Sequence, residues 1–73
     1  MTLKESTLAA VEAMNRWANY LEVFEFMKEN GYFIGNSKTP DKSIAAELYR
    51  HADKGEIDKI KEGNNIPLYK KKE

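Results

Sequence analysis

The run Lys38-Thr39-Pro40-Asp41-Lys42-Ser43-Ile44-Ala45-Ala46-Glu47-Leu48-Tyr49-Arg50 constrains this chain more than any other segment. Proline at the first helical position costs nothing, because that N–H has no intrahelical partner and the fixed φ already suits a helix. Thr39 before it is an N-cap residue whose side-chain oxygen is expected to take up an orphan amide of the first turn. Behind this start signal Ile44, Ala45, Leu48 and Ala52 recur on one stripe, and Gly55 sits close behind the end. A third helix is therefore expected from Thr39 to about His51. Two short apolar pieces follow, Ile57 to Ile60 and Ile66 to Tyr69, joined through Gly63-Asn64-Asn65 as the arms of a hairpin would be.

Two more helices precede this run. Thr2 with Glu5 has capping-box spacing, and Leu3, Thr7, Ala10, Val11 and Met14 then share a stripe, which predicts a helix from Leu3 to about Asn15. Arg16-Trp17-Ala18 is a short extended break. Asn19 with Glu22 repeats the capping box, and the helix behind it sets Tyr20, Val23, Phe24 and Met27 against Glu22, Glu25 and Glu29, with Gly31 as its left-handed stop. Tyr32-Phe33-Ile34 is too apolar for a free loop and is expected to tuck under the third helix, ahead of a turn at Gly35-Asn36-Ser37. In the hairpin, Ile57 and Ile60 are separated by an odd spacing and cannot share a strand face. Pro67 lacks a ladder donor, so the second strand is an edge or is irregular there. The fold class predicted is mainly α with a small β-hairpin, a three-helix winged helix-turn-helix occupying residues 1–73 as a single domain. Its ordered core is about 3–69, and a basic tail follows at 70–73.

Composition narrows the functions open to such a chain. Seventy-three residues lie near the lower limit for a self-sufficient core, and the absence of cysteine removes both disulfides and thiolate zinc sites as staples. No apolar run is long enough to span a bilayer and no signal peptide is visible, so a cytoplasmic or nucleoid-associated protein is expected. The net charge is zero, with 12 Lys and Arg against 12 Asp and Glu. It is unevenly spread: residues 1–30 hold Lys4, Arg16 and Lys28 against five glutamates, a balance of −2 that leaves +2 for the rest, including Lys70-Lys71-Lys72. Phosphate neutralisation supplies most non-specific affinity for nucleic acid, so modest affinity or a supporting partner domain is expected.

The order helix–helix–helix–hairpin, with Lys38-Thr39-Pro40, Leu48-Tyr49, the apolar–x–x–apolar start Ile57 to Ile60 and the turn glycine Gly63, resembles the HARE-type winged helix-turn-helix family. That family takes its name from chromatin adaptors and restriction endonucleases. Tyr20-Leu21-Glu22-Val23 through Lys28-Glu29-Asn30-Gly31-Tyr32 fits it as well, and the resemblance extends from about Leu3 to about Tyr69. It implies binding of double-stranded DNA, modified bases included, beside restriction–modification enzymes, polymerase subunits or transcription regulators. Pro67 in the last strand and Glu47 on the third helix depart from the family pattern.

In a helix-turn-helix the second helix of the motif enters the major groove. With Ile44 and Leu48 inward, Ser43, Ala46 and Arg50 point outward and Lys42, Glu47 and Tyr49 flank them. Arg50 suits guanine, Ser43 a base or a phosphate, and Lys38 with the amides after Thr39 a phosphate. Lys61, Asn64, Asn65 and Lys70 fit the backbone contacts of a wing. The competing readings are a solvated helix face on which Lys42, Glu47 and Arg50 pair, and a lysine tail that merely solubilises.

Catalysis by this chain alone is not expected, although it can be a domain of a nuclease or a partner to one. Its one histidine, His51, has no cysteine or second histidine for a metal site and is expected at the surface or rim. Trp17 and the phenylalanines read as core or rim, and Glu22, Glu25 and Glu29 as a solvated face without a nucleophile. No phosphate-cradling glycine pattern is present. No cofactor, metal, membrane or small-molecule substrate is expected. The rival to DNA binding is a protein–protein adaptor that has lost it, which zero net charge favours.

Overall fold

Thr2 and Glu5 close the first helix end reciprocally: the Glu5 amide donates to the Thr2 hydroxyl at 3.2 Å, and the Thr2 amide donates to the Glu5 carboxylate at 3.1 Å. The computed structural model describes residues 2–61, 63 and 65–72. Helix α1 spans Leu3–Met14 and ends on Asn15 in the left-handed region, φ 48°. Helix α2, Tyr20–Glu29, opens on the same device, with the Glu22 amide 2.9 Å from Asn19 Oδ1. It stops where Gly31, at φ 73°, lets the Tyr32 amide reach back 2.8 Å to the Met27 carbonyl.

Helix α3 covers Pro40–Asp53, two residues beyond the expected end. Its start corrects the sequence reading. Thr39 is the N-cap residue and Pro40 the first helical one, but the Thr39 side chain makes no capping bond. At the two working caps ψ is 163° and 173°, whereas at Thr39 it is 69°. The hydroxyl is thereby aimed away from the first turn and lies 3.5 Å from Ser37 Oγ, which also accepts the Thr39 amide at 3.1 Å. The helix ends on Gly55, φ 79°, with the Gly55 amide bonded to Ala52 and the Glu56 amide to His51.

Strands β1, Ile57–Ile60, and β2, Leu68–Lys71, pair antiparallel with Ile57 opposite Lys71 and Ile60 opposite Leu68. The second strand therefore starts after Pro67, not at Ile66, because proline has no amide to give the ladder. It also takes in Lys70 and Lys71, which the sequence reading left to the tail. Ala18 joins the far edge of β2: its amide donates to the Tyr69 carbonyl at 3.0 Å and its carbonyl accepts the Tyr69 amide at 2.8 Å. The break between α1 and α2 is thus extended, as expected, and is tied to the hairpin.

Ala10 and Val11, Ala18, Val23 and Met27, Ile44 and Leu48, Ile57 and Tyr69 form one buried core drawn from every element. The odd spacing in β1 resolves as one isoleucine in and one out, with Ile57 buried and Ile60 39% exposed. Tyr32 and Ile34 pack against the core, and the ties of this segment run to α1 and α2: Ser6 Oγ donates to the Phe33 carbonyl at 2.7 Å, and the Tyr32 ring lies 5.8 Å from that of Phe26. His51 overturns its expected place at the surface. It is 1% exposed, with Nδ1 3.0 Å from a Glu56 carboxylate oxygen and Nε2 2.9 Å from the Lys4 carbonyl. Both partners are acceptors, so a ring with a single N–H donates to one of them at a time. The two contacts connect the buried ring at the end of α3 to Glu56 and to the start of α1.

Candidate nucleic-acid interface

Burial of Ile44, Leu48 and His51 at i, i+4 and i+7 fixes which side of α3 is left to solvent. Lys42, Ala46, Tyr49 and Arg50 are exposed there, while Ser43 and Glu47 are half-buried. Ser43 Oγ donates back to the Thr39 carbonyl at 3.3 Å, so its hydroxyl proton is turned toward the helix. The Arg50 guanidinium donates to Glu47 at 3.2 Å, with the Arg50 side chain 65% exposed and that of Glu47 15%. Arg50 is therefore held against the helix by a carboxylate one turn before it. Lys38 and Thr39 are exposed ahead of Pro40, and the first-turn amides of α3 are not taken up by Thr39.

Two residues that sequence reasoning left outside the site join α3 to the hairpin. The Lys59 ammonium lies 4.9 Å above the Tyr49 ring, which is 57% exposed. The pair, with Ala52 and Asp53, lines a cleft between helix and strand of about 230 Å³. A cation over an aromatic face contributes roughly 0.5–1 kcal/mol at an exposed site. A signal for it exists in the sequence. Once Ile57 faces the helices, alternation along the strand turns Lys59 to that same side. Burial pushes the hydroxyl of Tyr69, the cross-strand partner of Lys59, above its ordinary value, with Tyr49 adding to the effect.

The wing residues do not gather with the α3 set at one point. Lys61 and Asn65 are exposed in the loop beyond the Ile60–Leu68 pair, whereas Lys70 is half-buried within β2 opposite Asp58. Asn64 lies outside the described residues. At the base of the hairpin, Lys72 donates to the Gly55 carbonyl at 3.1 Å. Close by, contact with the Lys4 ammonium holds Lys54 below the ordinary lysine value. The hydrogen bond from His51 holds the neighbouring Glu56 carboxyl below the usual range.

Among the described residues no group of three or more His, Asp or Glu side chains is gathered to hold a metal, and no helix is long and apolar enough to cross a membrane. Comparison with protein-family models, with curated proteins and with solved structures finds no match.

Proposed function

We propose that this chain is a winged helix-turn-helix module that binds double-stranded DNA, with α3 in the major groove and the hairpin alongside as the wing. The observation that carries the reading is the contact of Lys59 with the exposed Tyr49 ring. It joins the outer side of α3 to a hairpin whose residues 57–72 hold five lysines against Asp58 and Glu62. The Ala18–Tyr69 bridge supports the winged topology, since it adds an arm from between α1 and α2 to the far edge of the hairpin. Lys38 and the first-turn amides left by Thr39 suit a backbone phosphate, and Lys42, Ala46 and Arg50 are the groove-facing side chains. The resemblance to the HARE-type family points the same way and suggests a DNA-acting enzyme or regulator as the larger assembly.

A second reading, a protein-binding adaptor, is favoured by the Arg50–Glu47 pair and by the acidic side of α2. There Leu21 and Phe26 line a shallow cleft among Glu22, Glu25 and Glu29. Titration of a labelled duplex at two salt concentrations separates the two. DNA binding must weaken steeply with salt, with a log–log slope of about −0.9 for each phosphate neutralised. An adaptor binds the duplex at neither concentration.

A further inference from the structure

The hairpin ends in an apolar tip that nothing in the fold covers. Cross-strand partners share a face, and Ile57 and Tyr69 are both turned into the core. Asp58, Ile60, Leu68 and Lys70 therefore make up the outer face of the sheet. Ile60 and Leu68 are the last pair before the loop, and Ile66 follows in the loop itself. Ile66 is 47% exposed and Ile60 39%, and with Leu68 and Asn65 they line a shallow cleft of about 340 Å³. Branched apolar side chains at a hairpin end are costly to leave in water. Here they stand beside Lys61 and the amide of Asn65, with Lys59 next to Ile60 in the strand and Glu62 as the acid that follows Lys61 in the sequence. Lys70, Lys71 and Lys72 lie toward the other end of the hairpin.

That combination matches the minor groove of duplex DNA. Its floor presents the acceptors of adenine and thymine to an amide donor, and its walls are phosphates that attract lysine. A branched apolar side chain entering at a base step displaces stacking, and pyrimidine–purine steps yield most easily. We propose that Ile66, backed by Ile60 and Leu68, is a wedge that the wing inserts into the minor groove, unstacking one base step and bending the duplex. Asn65 sits at the groove floor and Lys61 at the adjoining phosphate. The inference rests on the DNA-binding reading and adds to it a deformation of the partner.

The test uses the whole chain and a duplex with 2-aminopurine beside a central TA step, with binding followed by anisotropy in the same samples. The expected result is a rise in 2-aminopurine fluorescence as the complex forms, lost in Ile66→Ser while that variant still binds the duplex. A thermal melt of the variant shows that the exposed substitution leaves the fold intact. Binding without a rise, or a rise that Ile66→Ser retains, overturns the wedge and leaves DNA binding standing. An unchanged anisotropy overturns both. Self-association of the chain that Ile66→Ser abolishes, with no fluorescence change, gives the patch to a second copy and also overturns the wedge.

Discussion

Ala18 and Tyr69 exchange both backbone hydrogen bonds, at 3.0 and 2.8 Å, although fifty residues separate them. The exchange fastens the hairpin to the start of α2, and the Tyr69 ring, 4% exposed, fills the space between sheet and helices. The hairpin is therefore part of the cooperative core and not an appendage. Tyr69→Ala is expected to cost about 3–5 kcal/mol, the range for deleting a buried ring. A urea titration followed by far-ultraviolet circular dichroism should show all the helices melting earlier in one transition. Loss of the hairpin alone, with the helices unmoved, contradicts this.

Ser6 and Thr7 are adjacent, both wholly buried, and predicted to respond to hydroxyl removal with opposite signs. Ser6 Oγ donates to the Phe33 carbonyl, whereas Thr7 Oγ1 has no hydrogen-bond partner among the described residues. Ser6→Ala strands a carbonyl and is expected to destabilise by roughly 1–2 kcal/mol, while Thr7→Val removes an unsatisfied group at equal volume and is expected to stabilise by about 1 kcal/mol. Melting temperatures of the two variants decide the matter.

Glu5, Glu22 and Glu56 all have carboxyls held below their ordinary 4.5. The largest causes are the Thr2 amide, the Asn19 amide and the His51 ring respectively. A carboxyl depressed in the folded state stabilises the fold above its unfolded value, and that contribution is lost as pH falls through the folded one. Through these carboxyls, stability should therefore decline as pH falls below about 5. Glu5→Gln/Glu22→Gln keeps a hydrogen-bonding side chain at both caps but removes their titration. Its melting temperature should fall less steeply below pH 5 than that of the parent chain.

These capping boxes were legible in the sequence because they are settled within four residues, by side chains with a single local use. Thr39 carries only the N-cap half of that signal, with Lys42 where the boxes have a glutamate, and it does not cap: its backbone angles depart from the extended geometry of the working caps and Ser37 engages its amide. Long-range partners are where legibility ends. The extended character of the Trp17–Ala18 break could be foreseen, but not that Tyr69 would be its partner, because short strands carry no mark of what they pair with. His51 was misplaced by its chemistry: its position seven after Ile44 and three after Leu48 is a core position, and Glu56 with the Lys4 carbonyl makes it tolerable. On the outer side of α3 the exposed residues agree with the helical stripe, whereas the Glu47 clasp on Arg50 and the Lys59 contact with Tyr49 depend on side-chain conformations that spacing alone does not settle.

His51 can be tested as a tie between α1 and the end of α3. His51→Ala leaves the Lys4 carbonyl and Glu56 without their ring partners and opens a cavity, so a loss of about 2–4 kcal/mol is expected. Amide exchange should rise first in the opening turn of α1 and around Gly55 and Glu56, which the ring connects. Uniform loss of protection with no such bias, or a stability change within error, shows that the ring fills space without joining the two helices.

Arg50 and Glu47 set the strength of the proposed DNA contact in opposite directions. The guanidinium is 65% exposed and bonded to a carboxylate on its own helix, an arrangement that a base or phosphate must displace. Arg50→Ala is expected to weaken duplex binding by about 1–3 kcal/mol without unfolding the chain. Glu47→Gln frees the guanidinium and removes the negative charge beside it, so it should tighten binding. Lys59→Ala leaves α3 intact but deletes the cation over Tyr49, and if that cation neutralises a phosphate in the proposed complex the log–log salt slope should fall by about 1. Anisotropy titrations at several salt concentrations measure all three variants. An Arg50→Ala affinity equal to that of the parent chain removes α3 from the interface, and a Glu47→Gln affinity below the parent's shows that the carboxylate positions Arg50 for DNA and does not withhold it.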